Sequence, residues 1–177
     1  MLIDEKLKSE NEHLRSKIEK IKIVVTDNDG VLTDTGVYFS ANGEELKRFS
    51  IRDGMGVERL RKHSNIETVI VTGEISGSVK TRAEKLKITE YYLGVDDKFK
   101  VIEEIKRKNH IEEENIAFIG DDVNDYSIMN VVGFRGTPAD GTVFIKNIAD
   151  YICTNKSGNG AFREFAELII AFTAKDN

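Results

Sequence analysis

Two features of the chain predict an α/β fold: short apolar runs that stop abruptly at polar or acidic residues, and helix-periodic segments between them. Ile23-Val24-Val25, Thr68-Val69-Ile70-Val71 and Ile116-Ala117-Phe118-Ile119 are the strongest runs, with the length and β-branched content of buried strands. Alternation of such strands with helices implies βαβ units. The expected architecture is therefore a mostly parallel sheet covered by helices on both faces, a Rossmann-like three-layer sandwich.

Taken in order, residues 4–20 place Leu7, Leu14 and Ile18 at helix-compatible spacings between charges. They predict an amphipathic N-terminal helix, an extension over residues 1–21 before one domain over 22–177. The stretch covers too few heptads for a coiled coil. A strand follows at 22–27. Asn42-Gly43 between two β-prone runs is a hairpin signal and places a small β-hairpin at about residues 36–50. A two-stranded hairpin is marginal in water, so this one is expected to pack against something. A helix runs from Arg52-Asp53-Gly54 to about His63, then come the strand at 68–71, a helix over 76–87 and a short strand at Tyr91-Tyr92-Leu93. A helix over 97–109 leads to the strand at 115–120. Beyond it lie a helix over 124–131, a strand near 133–135, a helical segment over 140–147, a strand at 151–153 and a final helix over 161–173.

The 177 residues make one domain the default, and a charged content of 32% is ordinary for a globular protein. The net charge of −5 speaks against a nucleic-acid partner, which usually meets a basic face. A single cysteine, Cys153, excludes an intrachain disulfide framework and fits a reducing compartment. No apolar run has the length of a membrane span, and the first residues lack a signal-peptide core, so the cytoplasm is the expected location.

Function is concentrated at the ends of the strong strands, where ligands bind in open α/β sheets. The first ends in Asp27 and Asp29 followed by Gly30, the second in Thr72-Gly73, the third in Asp121, Asp122 and Asp125; Lys98 opens a helix after a fourth. Adjacent acids repel, and a cation between them relieves the repulsion. Oxygen ligands without Cys or His suit Mg²⁺ and disfavour zinc. One carboxylate could attack a phosphoryl group and the other handle protons, while Lys98, Thr72 and the peptide N–H groups of Asn28, Asp29 and Gly73 stabilise the transferred group. Each residue alone has a plainer reading: a solvated turn, a strand-end cap, a surface lysine, a helix N-cap. Their joint occurrence in order at strand tips is what points to a site. A phospho-receiver signalling domain also uses acids, Thr and Lys around Mg²⁺, but in a different chain order; a non-catalytic assembly subunit would not need the acid set. His13, His63 and His110 lie in polar contexts and are not expected ligands.

Asp27-Asn28-Asp29-Gly30-Val31-Leu32-Thr33-Asp34, Thr72-Gly73, Lys98 and Gly120-Asp121-Asp122-x-x-Asp125 together resemble the four motifs of the haloacid dehalogenase superfamily phosphatases. The resemblance implies Asp27 as nucleophile and Asp29 as general acid/base that also binds Mg²⁺ through its backbone carbonyl. It further implies Asp121 completing the metal site, Asp122 and Asp125 supporting it, and Thr72 and Lys98 holding phosphate. Asn42-Gly43-Glu44-Glu45-Leu46-Lys47-x-Phe49-x-x-Arg52-Asp53-Gly54 and Gly158-x-Gly160-Ala161-x-Arg163-Glu164 are similar to the 3-deoxy-D-manno-octulosonate 8-phosphate phosphatase group. That group implies no cap domain and a homotetramer in which neighbours close each site. Glu74 stands where the octulosonate enzymes carry Arg, and with Arg82 and Lys85 it resembles the branch acting on nine-carbon 2-keto-3-deoxy-nononate 9-phosphates. The expected reaction is therefore Mg²⁺-dependent hydrolysis of a sugar-acid phosphate, the nine-carbon one favoured over the octulosonate alternative, with Arg52, Asp53, Gly54, Glu74, Arg82 and Lys85 as substrate contacts. The plainer reading of Glu74, Arg82 and Lys85 is a set of solvated helix pairs.

Overall fold

The computed structural model describes residues 4–175. Strands β1 (Ile23–Thr26), β4 (Glu67–Val71), β5 (Tyr91–Tyr92), β6 (Ile116–Ile119), β7 (Phe134–Thr137) and β8 (Tyr151–Ile152) form one sheet in the order β5-β4-β1-β6-β7-β8. Every pairing in it is parallel. Strands β2 (Thr33–Ser40) and β3 (Gly43–Phe49) form a separate antiparallel hairpin. The helices are α1 (Glu5–Glu10), α2 (Arg15–Ile18), α3 (Ile51–Arg59), α4 (Gly77–Lys85), α5 (Lys98–Asn109), α6 (Tyr126–Met129), α7 (Val143–Lys146) and α8 (Ala161–Thr173).

Alternation along the strands builds two cores. Val24, Ile70, Ala117 and Ile119 pack with Val57 of α3, Val79 and Ala83 of α4 and the apolar stripe of α8. Ile23, Val25, Val69, Val71, Ile116 and Phe118 pack with Val101, Ile102 and Ile105 of α5, Ile128 and Met129 of α6 and Ile145 of α7. The three layers are those expected. The chain proceeds from β1 to β4 and β5 on one side, then returns through α5 to β6 on the other side of β1. The tip of β1 is thus a topological switch point, where the two flanking crossovers diverge and leave a crevice.

Two local expectations are corrected. The single N-terminal helix is broken into α1, a 3-10 turn over Glu12–Leu14 and α2. The Asn11 amide donates to Leu7 O at 2.8 Å, and a short polar side chain competing for backbone groups interrupts a helix in this way. Leu14, Ile18 and Ile21 are nevertheless buried in the α8 core. The hairpin turn is shifted by one residue: Ser40 pairs with Gly43, so Ala41 and Asn42 make the turn. Gly43 follows at φ 105°, a conformation that glycine adopts readily.

Candidate active site at the strand tips

The parallel register sets the site. Thr26 lies level with Ile70 of β4 and Ile119 of β6, and the Asp27 N–H donates to Ile119 O at 3.0 Å. Asp27 therefore emerges between its two neighbours, buried to 3% exposure. Carboxylate oxygens of Asp27, Asp121 and Asp125 lie within 4.8 Å of one another. Glycines allow this approach. Gly30 has φ 94°, and a Cβ there would run into the Asp121 carboxylate; a Cβ on Gly120 would meet that of Asp125. The Asp121 carbonyl accepts from Thr142 N–H at 2.8 Å and from its hydroxyl at 3.1 Å, which fixes the β6 tip from the start of α7.

Lys98, at the start of α5, is buried among these acids. Its ammonium lies 3.0 Å from Asp27 Oδ1 and 2.6 Å from Asp125 Oδ1. Burial works against the lysine's charge, but the two carboxylates outweigh it and hold Lys98 above the usual range. Asp125 is fully engaged, since its Oδ2 also accepts from the Asp121 N–H at 2.9 Å. Burial, then the neighbouring Asp125, raises the carboxyl of Asp27. Burial and the nearby Asp125 and Asp122 push Asp121 up to about 7. Three carboxylates around one ammonium leave two negative charges in excess, all on oxygen, with no Cys or His in the cluster. Such a donor set fits one hard divalent cation.

The structure separates the other expected residues by role. Asp29 is half-buried and turned away from the cluster: its Oδ1 accepts from the Thr33 hydroxyl at 3.0 Å and its Oδ2 from Lys47 Nζ at 2.5 Å. Asp122 is exposed and accepts from the Val123 N–H at 2.7 Å, a turn cap at the rim. Thr72 is buried at the β4 tip, and its hydroxyl accepts from the Glu74 N–H at 3.2 Å. The Asn28 N–H, expected as a phosphate donor, is directed instead to Asp27 Oδ1 at 2.7 Å. Cys153 is buried just past the end of β8 rather than within a strand, and burial raises its thiol.

Among the expected substrate contacts, Arg82 and Lys85 line one groove of about 470 Å³ with Leu46, Lys47, Phe49 and Ser78. Arg82 is also a buttress: it donates to Ser50 O at 2.8 Å, lies over the Phe49 ring and stands where a Cβ on Gly54 would be. Gly54 is thus a close-packing point. Glu74 is exposed beside the Thr72 tip. Arg52 lines a different cavity of about 620 Å³, with Leu7, Asn11, Tyr151 and Glu164. Asp53 is 1% exposed and accepts from Gly160 N–H at 3.1 Å and Arg163 N–H at 2.9 Å, so it caps α8. Two contacts were not anticipated, Lys47 and Thr142. Lys47 could have been found from Phe49: two residues apart on a strand they share a face, and Phe49 packs on the core.

Comparison with known proteins agrees with this geometry. Residues 95–165 match the family described as haloacid dehalogenase-like hydrolase. The chain is 38% identical over 160 residues to the 3-deoxy-D-manno-octulosonate 8-phosphate phosphatase of Escherichia coli K12, covering 90% of this chain and 85% of that one. It is similar to the crystal structure of the same-named enzyme of Moraxella catarrhalis, which is in complex with magnesium, phosphate and KDO (TM-score 0.88, 34% identity, 92% and 93% of the two chains). The Yersinia pestis enzyme of that name is similar too (TM-score 0.87, 34% identity, 90% and 86%). The chain belongs to the haloacid dehalogenase-like hydrolases, within the family of the 3-deoxy-D-manno-octulosonate 8-phosphate phosphatases.

Proposed function

We propose that the chain is a Mg²⁺-dependent phosphate monoesterase acting on 3-deoxy-D-manno-octulosonate 8-phosphate through an aspartyl-phosphate. The observation that carries this is the buried cluster of Asp27, Lys98, Asp121 and Asp125, with its two surplus negative charges. Asp27 and Asp121, with the Asp29 carbonyl, would hold Mg²⁺, which when bound supplies positive charge opposite the phosphoryl oxygens.

The Asp27 carboxylate attacks phosphorus; an Asp27 O–P bond forms as the ester P–O bond breaks, and Asp29 gives its proton to the departing alkoxide. Water then attacks the phosphorus and gives a proton to Asp29. The Asp27 O–P bond breaks, releasing inorganic phosphate and restoring both acids. Lys98 and Thr72 hold the phosphoryl oxygens, and the Lys98 ammonium counters part of the burial that raises Asp27.

The nine-carbon preference read from Glu74 gives way here to eight carbons. Relatives at 37% and 38% identity along most of their length carry the octulosonate in their names, and Glu74 has no side-chain partner among the described residues that marks out a nine-carbon site. The test is kcat/KM with Mg²⁺ for the octulosonate 8-phosphate against the nine-carbon 9-phosphate. A higher value for eight carbons is expected; a clear preference for nine would restore the Glu74 reading.

The hairpin that brings Lys47 to Asp29 exposes Val37, Tyr38, Phe39 and Leu46, at 37% to 72%. Exposed apolar side chains on a marginal hairpin, with Tyr38 opposite Leu46, support packing against further copies of the chain, in a homotetramer that closes each site. Sedimentation velocity is expected to give the tetramer mass, and a monomer at micromolar concentration would contradict it. Among the described residues no helix is long and apolar enough to cross a membrane.

A further inference from the structure

Strand β3 delivers Lys47 to the tip of β1, and the reaction written above makes no use of it. Its side chain is 1% exposed. Its ammonium donates to Asp29 Oδ2 at 2.5 Å and lies 3.3 Å from Glu44 Oε2. Glu44 in turn accepts from the Ser76 hydroxyl at 2.5 Å and the Ser78 hydroxyl at 3.4 Å, at the start of α4. The other Asp29 oxygen is held by Thr33 at 3.0 Å and by the Asn28 amide at 3.1 Å. Both oxygens of Asp29 thus have donors from three directions, and only Lys47 comes from outside the segment following β1.

A buried lysine is an expensive way to anchor a hairpin, because its desolvation offsets most of the ion-pair attraction. Phe49 on the same face already packs on the core without that cost. What the ammonium adds is direction: it pins one carboxylate oxygen at a fixed point beside the groove that Lys47 itself lines. We infer that Lys47 is a positioning residue for Asp29, through which the hairpin sets the angle at which the proton is handed to the leaving oxygen. The inference rests on the phosphatase reading with Asp29 as general acid.

Leaving-group dependence distinguishes positioning from anchoring. An alkoxide needs the proton as the P–O bond breaks, whereas p-nitrophenolate does not, and kcat/KM reports binding and that first P–O cleavage without the later hydrolysis of the aspartyl-phosphate. General acid–base catalysis contributes about 10²–10⁴-fold, so Lys47→Met should lower kcat/KM for β-glycerol phosphate about 100-fold and for p-nitrophenyl phosphate less than about 5-fold. Lys47→Arg, which keeps the charge but displaces it, should show the same bias at about 10-fold against less than about 2-fold. Should Lys47→Met fail to give a cooperative thermal transition, the arginine variant decides alone. Equal losses on both esters, or none, would overturn the inference while wild-type turnover upholds the phosphatase reading. Wild-type protein that hydrolyses neither ester with Mg²⁺ would overturn both.

Discussion

Asp27 and Asp53 are the same residue type, each in a family-like motif, each almost fully buried at 3% and 1% exposure, and each raised by burial. They do opposite things. Asp53 accepts two N–H groups at the first turn of α8, so its charge is answered by partners fixed in the backbone. Asp27 faces Asp121 and Asp125, with Lys98 answering only part of the charge. Burial alone therefore does not mark a site. A buried acid answered by fixed backbone donors holds the fold together; one left in surplus with other acids awaits a cation or substrate.

Removing the divalent ion would strain this comparison most. Chelation is expected to abolish turnover, with recovery on adding Mg²⁺. In thermal melts Mg²⁺ at 100 times its Kd contributes about 2.7 kcal/mol, or about 5–10 °C in a chain of this size. The effect should depend on pH with a definite sign. Asp121 has its folded pKa raised to about 7 against about 3.9 unfolded. Its contribution to stability is thus complete below about pH 4 and is lost as pH rises through about 7. The metal-free protein should lose Tm between pH 5.5 and 8, and Mg²⁺ should raise Tm more at pH 8. An equal rise at both values would mean that the cluster carries no surplus charge.

A smaller effect belongs to the other acid. Asp53→Ala removes the cap of α8, worth about 0.5–2 kcal/mol, and should lower Tm by about 1–8 °C with kcat/KM unchanged within about 2-fold in folded protein. A raised KM with unchanged Tm would return Asp53 to the substrate contacts.

Much of this was legible in the chain. The apolar cores of β1, β4 and β6 and the 161–173 helix could be read because buried strands and an amphipathic stripe are local patterns. The acids and Lys98 could be placed together because parallel strands bring their carboxyl ends to one edge. Thr142 could not, since it reaches the Asp121 carbonyl across elements that no periodicity aligns; Lys47 was within reach only through the strand face it shares with Phe49. The motif alone places Asp53 with the substrate contacts, while the N–H groups it accepts from lie more than a hundred residues onward. The break at Asn11 turned on one side-chain amide choosing Leu7 O.

The central claim is that the surplus charge around Asp27 serves attack on phosphorus, and Asp27→Asn tests it most directly. With saturating Mg²⁺ and the octulosonate 8-phosphate, kcat should fall by more than about 10⁴-fold, as for other deleted nucleophiles, while circular dichroism and Tm show a folded protein. A folded variant that keeps turnover within about 10-fold of wild type, without conversion of the amide back to Asp by mass spectrometry, would contradict the account.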